Sequence, residues 1–218
     1  AIPNVLAQRY ASREMRELWS PARKVVLERE LWLAVLAGQR ELGVAVPDGV
    51  IEAYRAVVDR VDLASIEARE RVTRHDVKAR IEEFCALAGH EHVHKGMTSR
   101  DLTENVEQMQ VREALALVRD RMVATLARLA RLAAEHAALA LTARTHNAPA
   151  QVTTLGKRFA SAGEELLGAL QKLEALIAAY PLRGLKGPVG TQEDQLDLLG
   201  GDAAKLARLE AAVARHLG

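Results

Sequence analysis

The chain has 218 residues, of which 49% are hydrophobic and only 3% aromatic, and this composition, rich in alanine and leucine, favours a helical protein with a packed core. Its 30 Lys and Arg residues nearly balance 29 Asp and Glu, so no global field is available to attract nucleic acid or an anionic membrane. The single cysteine excludes an internal disulfide, and no apolar stretch has the length of a signal peptide or membrane span. We therefore expect a soluble, cytoplasmic protein with neither nucleic acid nor membrane as a partner.

The first part of the chain predicts a cluster of short helices. Apolar residues recur at helical spacing, and glycine or proline separates the segments. The predicted helices run over residues 13–43, 51–61, 63–72 and 75–88. We assign residues 1–97 to an N-terminal helical domain, with Arg9 and Tyr10 standing just before its first helix.

Two long apolar repeats dominate the rest of the chain. One runs from Thr98 to Ala133, about ten helical turns, and the other runs from Val152 to Tyr180 in heptad spacing. Residues 142–149 interrupt the two repeats, and the two helices should pack as an antiparallel pair. A glycine-bearing loop over 184–191 and a last helix near 202–216 complete the prediction. The expected fold is all-α, with residues 98–218 forming the first part of a central bundle of long helices.

The long repeats carry more apolar surface than this chain can cover. Two long helices and one short helix do not close a four-helix core. We therefore expect self-association through these repeats or additional sequence. Gly218 follows an amphipathic helix abruptly, which is what a truncated chain would show.

The run His94-Lys-Gly-Met-Thr-Ser-Arg-Asp101 places two hydroxyls, Thr98 and Ser99, at the start of the first long helix. A helix start with unpaired N–H groups and hydroxyls can bind an anion such as a carboxylate. The pattern Thr98 to Asp101 also fits a capping box, and so does Thr73-Arg-His-Asp76. Both interpretations, anion site and helix cap, stand at this point.

Four of the seven histidines fall between residues 75 and 94, each beside a predicted helix end. The alternation His90, His92, His94 invites a metal interpretation, but the spacing suits a strand better than a helix end, and we favour no metal. His146, in the run Ala143-Arg-Thr-His-Asn147, stands at the predicted start of the second long helix. It is either a structural hydrogen-bonding group or a proton donor for neutral pH.

These motifs resemble those of a known family. His94-x-Gly-x-Thr-Ser-x-Asp101 is similar to the first signature region of the fumarase/aspartase superfamily, and Arg144-Thr-His-Asn147 is similar to the second, in the form found in adenylosuccinate lyases. Thr73-Arg-His-Asp-Val-Lys78 and the pair Arg9-Tyr10 look like the same branch. The Thr-Ser-x-Asp element alone is shared with the carboxymuconate-cycloisomerase branch, and the histidines favour the purine enzymes.

The resemblance implies a β-elimination that releases fumarate from adenylosuccinate, giving AMP, and from the succinyl-carboxamide ribotide of the purine pathway. It implies that Thr98 and Ser99 hold a succinyl carboxylate and that Thr145 helps to fix the substrate. His146 would be the general acid that protonates the departing nitrogen, and His94 a second-tier substrate contact.

For the nucleotide side of the substrate, the resemblance implies Arg74, His75 and Asp76, with His75 counted among the catalytic residues. Arg9 and Tyr10 would meet the phosphate. No metal or organic cofactor is implied.

The third signature region of the family, a mobile serine-rich loop that carries the base, has no counterpart in this sequence. The family also implies a homotetramer in which active sites are shared between subunits. Two alternatives remain open: another fumarate-releasing lyase of the superfamily, or a helical assembly module without chemistry.

Overall fold

A computed structural model describes residues 4–218. Within this range the chain forms ten helices and one two-stranded antiparallel hairpin. The elements are α1 Val5–Tyr10, α2 Arg13–Leu18, α3 Pro21–Glu41, α4 Val50–Arg55, α5 Leu63–Thr73, α6 Asp76–Ala88, α7 Ser99–Glu135, β1 Ala140–Thr145, β2 Ala148–Thr154, α8 Leu155–Ala178, α9 Glu193–Leu198 and α10 Ala203–Leu217. The predicted, predominantly helical class is confirmed, with the hairpin as its one exception.

Contacts divide the chain into two compact units. Of the described residues, 4–111 and 181–218 belong to the first unit, and 112–180 belong to the second. This division cuts α7 internally, because its early residues pack into the first unit and its later ones do not. The domains assigned from sequence follow the change from short to long helices, and that division at residue 97 stays a prediction.

The core of the first unit is built around α3. Leu31, Trp32 and Leu36 are buried there together with Tyr54 of α4 and Phe84 of α6. The buried set also includes residues of α7 and α10, namely Leu102, Val106, Leu209 and Val213. The start of α7 is thus anchored in the same core that holds the short helices.

A charged pair is sealed inside this core. Arg29 of α3 forms an ion pair with Glu83 of α6, and both side chains are almost fully buried. The Arg29 guanidinium also donates to the carbonyl oxygens of Val57 and Val58 at 3.0 and 2.8 Å. These bonds fix the irregular segment after α4, where turns replace the last part of the helix predicted over 51–61.

The single helix predicted over residues 13–43 is wrong. It is two helices, because the Ser20 hydroxyl accepts the Arg23 N–H at 3.2 Å as an N-cap and Pro21 occupies the first helical position. The placement of Arg9 and Tyr10 before the first helix is also wrong, since they form the last turn of the short helix α1.

The second unit is a helical pair joined by the hairpin. Gly156 of α8 lies against residues 133–137, and Gly163 lies against Leu129, so contacts run in opposite order along α7 and α8. This is the predicted antiparallel packing. The His136 and Phe159 rings, 6.1 Å apart, continue the same contact.

The interruption predicted over 142–149 lies within the hairpin β1–β2, which the sequence did not predict. Its strands pair from Ala140 with Thr154 to Thr145 with Ala148. His146 and Asn147 form the two-residue turn with φ of 47° and 63°, the left-handed pair whose twist matches that of antiparallel strands. The second long helix therefore begins at Leu155 rather than Val152.

The glycine-bearing segment before α9 is irregular, as predicted, and the last helix lies within one residue of its predicted bounds. The short helix α9 was not predicted. Of the helices that the structure describes, none combines the length and apolar character needed to cross a membrane.

Candidate active site

The start of α7 is organised by one buried carboxylate. Asp101, with no exposed surface, accepts the Thr98 N–H at 3.1 Å, which is the carboxylate half of a capping box. The capping interpretation of this motif is confirmed. It also occupies the Thr98 N–H, one of the backbone donors at this helix start, and leaves the Thr98 and Ser99 hydroxyls as side-chain donors for an anion.

Asp101 does more than cap its helix. It accepts the N–H groups of Lys186 and Gly187 at 2.9 and 3.0 Å, and Arg183 approaches it at 3.3 Å. Asn105, one turn later, exchanges two hydrogen bonds with the backbone of Gly184. The segment 183–187 is therefore fastened beneath the hydroxyl pair. Sequence reasoning identified Asp101 only as a cap, because its other partners lie more than 80 residues away.

His75 meets the same helix start. Its Nε2 lies 3.4 Å from the Ser99 Oγ. Its Nδ1 accepts the Lys78 N–H at 3.3 Å, so the ring proton sits on Nε2 and can be donated to the serine hydroxyl. The structure thus joins two motifs that the sequence separates by 24 residues.

The capping box predicted from Thr73 to Asp76 is wrong. His75 itself is the N-cap of α6, while Thr73 is the last residue of α5. The reason is the left-handed conformation of Arg74, φ 56°, which ends α5 and turns the chain so that the imidazole replaces the hydroxyl as the cap.

Arg74 and Asp76 flank His75 on the exposed side of this turn. Asp76 forms an ion pair with Arg80, whose guanidinium also binds the buried Glu28 at 2.7 Å. Burial raises the pKa of Glu28, and Arg80 opposes that rise. Arg80 therefore sets the orientation of the Asp76 carboxylate from the core side.

His94 lies just before the hydroxyl pair and is partly buried. Its Nδ1 accepts the Trp32 Nε1–H at 2.9 Å. Burial lowers the pKa of His94 to about 4, although Asp101 acts in the opposite direction. Trp32, a core residue that belongs to none of the sequence motifs, is thus a direct neighbour of the site.

The three alternating histidines have separate surroundings. The backbone of His90 and His92 holds the Tyr54 hydroxyl, the His92 ring lies 3.2 Å from the Lys95 Nζ, and the His94 ring faces Trp32. Over residues 4–218, no three His, Cys, Asp or Glu side chains come together as a metal site.

Two predicted phosphate contacts lie elsewhere on the first unit. Arg9 and Tyr10 are exposed in the last turn of α1, with 76% of Tyr10 accessible. No hydrogen bond that the structure describes links them to His75, His94 or Ser99.

Thr145 and His146 belong to the second unit, where both are exposed at the tip of the hairpin. The expectation that His146 stands at a helix start is wrong, since it is the first residue of the turn. Arg144 donates to the Asn147 carbonyl oxygen at 2.9 Å and braces this turn. The motif therefore presents an imidazole on a solvent-accessible turn that a hydrogen bond closes.

These features define a helical protein with a cluster of imidazole and hydroxyl groups at the start of a long helix. A lyase family matches residues 17–193, and the chain belongs to this family.

Individual relatives are similar to nearly the whole chain. An adenylosuccinate lyase from Schistosoma mansoni is 36% identical over 99% of this chain and 45% of its own length. One from Saccharomyces cerevisiae is 37% identical over 98% and 45%. The chain thus spans a little under half the length of the curated relatives it matches.

A solved structure supports the fold alone. The 3-carboxy-cis,cis-muconate lactonizing enzyme of Pseudomonas putida superposes with a TM-score of 0.83 over 98% of this chain and 49% of the other, at 20% identity.

Proposed function

We propose that this chain supplies the N-terminal half of an adenylosuccinate lyase, which releases fumarate by β-elimination. The observation that carries the proposal is the 3.4 Å approach of the His75 Nε2 to the Ser99 Oγ. It unites two of the motifs whose resemblance points to this enzyme. The family match and the names of the relatives support the same activity.

In this reaction a base takes a proton from the carbon beside a carboxylate, the electron pair forms the new carbon–carbon double bond, and the carbon–nitrogen bond breaks. Negative charge builds on the carboxylate during the first step. Donors fixed around it before the reaction stabilise that charge as it develops. Thr98 and Ser99 would provide these donors, and the hydrogen bonds of Asp101 to the Thr98 and Lys186 N–H groups, which hold this helix start in place, support that role.

The departing nitrogen needs a proton, and we assign this step to His146. An imidazole both gives and accepts protons near neutral pH, and a positioned general acid contributes roughly two to four orders of magnitude in rate. Its place on a braced two-residue turn supports this role, since a rigid support holds the acid in one geometry. Thr145, directly before it, would help to fix the substrate.

The remaining predicted residues serve the nucleotide. Arg74, His75 and Asp76 would line its purine side, and Arg9 and Tyr10 would meet its phosphate. His75 could also orient the substrate through Ser99. The base is not among these residues, and we place it on further polypeptide of the whole enzyme, in keeping with the family's serine-rich third region.

We further propose that the whole enzyme is a homotetramer with shared active sites and no cofactor. Large apolar side chains on the long helices of the second unit support self-association. Val118, Val123, Leu167 and Leu176 are each between 42% and 48% exposed.

The test is fumarate release by the full-length protein. His146→Gln should reduce turnover of adenylosuccinate at least about 100-fold while leaving AMP binding largely intact. His136→Gln, a histidine of the same unit that contacts Phe159, is the matched control and should stay within about two-fold of wild type. Full turnover in His146→Gln would remove the general acid from the proposal.

A second test addresses the carboxylate. The double variant Thr98→Ala and Ser99→Ala should weaken inhibition by fumarate by about 2–4 kcal/mol, because charge-assisted hydrogen bonds are lost. Unchanged inhibition would refute this carboxylate site.

The same protein separates the alternatives. Fumarate release from another succinylated amine without AMP binding would identify a different lyase of the superfamily. Absence of any lyase activity, together with unchanged behaviour after joint substitution of His75 and His146, would favour a helical assembly module. Turnover by the 218-residue chain alone would show that the base lies within it, and His75 would be the first residue to test.

A further inference from the structure

The His94 imidazole is fixed by a tryptophan of the core. Trp32, 1% exposed on α3, donates its Nε1–H to the His94 Nδ1 at 2.9 Å. The two rings meet edge to face at 90°, with centroids 5.9 Å apart, and Trp32 stacks on Phe84 behind them. A buried indole wedged between two rings has no freedom to turn its N–H elsewhere.

This contact decides where the proton of His94 lies. An indole nitrogen can only donate, so the Nδ1 of His94 must accept and carries no hydrogen. The neutral ring therefore holds its proton on Nε2. A doubly protonated ring would bring two N–H groups face to face across 2.9 Å, which disfavours the charged form.

The charged groups around His94 do not change its neutral state. Asp101 on α7 favours a charged imidazole, while His75, before α6, and the burial of the ring disfavour it. Burial is the largest of these effects and lowers the pKa to about 4. The ring is thus neutral over the whole physiological range.

The backbone of this segment is also held in place. His94 has a left-handed conformation with φ of 69°. The following carbonyl oxygen, of Lys95, accepts from the side-chain amides of Gln39 and Gln195 at 2.9 and 3.1 Å. Ring and backbone are therefore both anchored, and the ring's other nitrogen, Nε2, is presented in one orientation.

We propose that Trp32 is a positioning residue that holds His94 as a neutral Nε2–H donor, so that His94 gives a hydrogen bond to an acceptor oxygen of the substrate and does not carry a proton. The assignment to a substrate rests on the proposed function, whereas the tautomer does not. His94 then differs in role from His146, to which the proton transfer is assigned. Trp32 acts only through His94.

The first experiment reads the tautomer in the full-length protein without substrate. Histidine labelled with ring ¹⁵N distinguishes protonated from unprotonated nitrogens, and a His94→Gln sample identifies the His94 signals. The wild type should show an unprotonated Nδ1 and a protonated Nε2 between about pH 5.5 and 8. A protonated Nδ1 in this range would overturn the proposal whatever the enzyme's activity.

Two tryptophan variants locate the cause. Trp32→Phe keeps an aromatic ring but removes the donor, so the His94 signals should become a mixture of tautomers and titrate at higher pH. Trp19→Phe changes the chain's only other tryptophan, which is 38% exposed, and should leave the spectrum unchanged. Wild-type His94 signals in a folded Trp32→Phe protein would show that Trp32 does not set the tautomer.

The second experiment reads the role. In steady-state assays His94→Gln, whose amide reaches the Nε2 position, should retain activity within about ten-fold, whereas His94→Asn should lose clearly more. Trp32→Phe should raise KM by roughly five-fold and shift the acid limb of the rate profile to higher pH. Equal losses in His94→Gln and His94→Asn would refute the donor role. A wild-type enzyme without fumarate release would instead refute the proposed function, and the ¹⁵N result would still decide the tautomer.

Discussion

At the scale of single residues, hydrogen bonds within the protein fix which ring nitrogen carries the proton in two histidines of the candidate site. His75 accepts a backbone N–H on Nδ1 and His94 accepts an indole N–H on Nδ1, so both present Nε2 as a donor. His146 has no such support from the core and lies exposed on its turn. These two environments are consistent with the two tasks proposed above, in which His75 and His94 hold the substrate and His146 donates a proton to it.

The depressed pKa of His94 makes the fold sensitive to acid. The pKa of His94 in the folded chain, about 4, lies below the ordinary value of 6.5. Between these two pH values the His94 ring is therefore protonated in the unfolded chain but neutral in the folded chain. Stability from this group is complete above pH 6.5 and is lost as pH falls toward 4, by about 3 kcal/mol at most.

Urea unfolding of wild type and His94→Gln at several pH values tests this effect. The difference in unfolding free energy between the two proteins should move in favour of the variant as the pH falls from 6.5 to 4. A difference that is independent of pH would contradict the assignment.

Asp101 supports a second prediction at this scale. Asp101→Asn replaces an oxygen that faces backbone donors by an amide N–H₂, so at least one buried donor loses its acceptor. We expect a loss of about 2–4 kcal/mol in unfolding free energy. Asp120→Asn, on the exposed part of α7 where Asp120 pairs with Arg119, should change it by less than about 0.5 kcal/mol. Equal effects of the two variants would show that the bonds to Lys186 and Gly187 contribute little.

At the scale of elements, α7 and α8 come together through glycine. A Cβ on Gly156 would lie 2.4 Å from the Ala133 carbonyl oxygen and 2.7 Å from the Ala137 Cα, and neither backbone atom can turn aside. The hairpin links the same two helix ends, since the Gly156 N–H donates to the His136 carbonyl oxygen at 2.9 Å. The close approach of the helices at this point fixes the base of the hairpin that carries His146.

Gly156→Ala should therefore destabilise the second unit by about 2 kcal/mol or more, because the helices must separate. Gly168→Ala on the same helix is the matched control. Nothing lies within 4 Å of its added Cβ, so the better helix propensity of alanine should raise stability by about 0.5–1 kcal/mol. Thermal unfolding should show a lower melting temperature than wild type for Gly156→Ala and a higher one for Gly168→Ala. A shift in the same direction would show that the contact at Gly156 does not limit helix packing.

The elements differ in how far the sequence predicts them. The long repeat from Thr98 predicts α7 to within two residues at either end, because many turns of periodic apolar residues average out local exceptions. The break at Ser20 and the hairpin were missed. Pro21 and the Ser20 cap override an unbroken apolar pattern, and the turn uses His-Asn in place of the Asn-Gly or Asp-Gly pair that signals a hairpin.

The contacts of the candidate site also differ in whether the sequence predicts them. The capping box at Thr98 and Asp101 is visible because its partners are three residues apart. The contacts of His94 with Trp32 and of Asp101 with Lys186 join residues that are 62 and 85 positions apart in the sequence. A local sequence pattern cannot predict contacts between residues so far apart. Sequence motifs thus identified candidate functional residues, whereas only the structure shows which distant residues hold them in place.

At the scale of the whole molecule, the long helices carry exposed apolar residues of the kind that pack against other subunits in an oligomer. We expect the full-length protein to be an oligomer and the joint change Val123→Lys with Leu167→Lys to yield smaller species, because charge is costly in a buried interface. Val72→Lys, at an 82% exposed valine of α5, should leave the size unchanged. Light scattering at micromolar concentration decides the matter, and a compact monomer in the wild type would refute self-association.

The first unit is built from two stretches of sequence, with the second unit inserted between them. Helix α10 packs on α3 so closely that a Cβ on Gly38 would lie 2.7 Å from the Leu209 Cδ1, although these residues are separated by most of the chain. Such contacts have high contact order, whereas the helical pair and hairpin over residues 112–180 are largely local. During synthesis at about 5–20 residues per second, the second unit can therefore form before α10 has left the ribosome, while the first unit waits for it. Pulsed hydrogen exchange during refolding should accordingly protect amides of α8 before those of α3, so the hairpin that carries His146 would form before the core around α3 is complete.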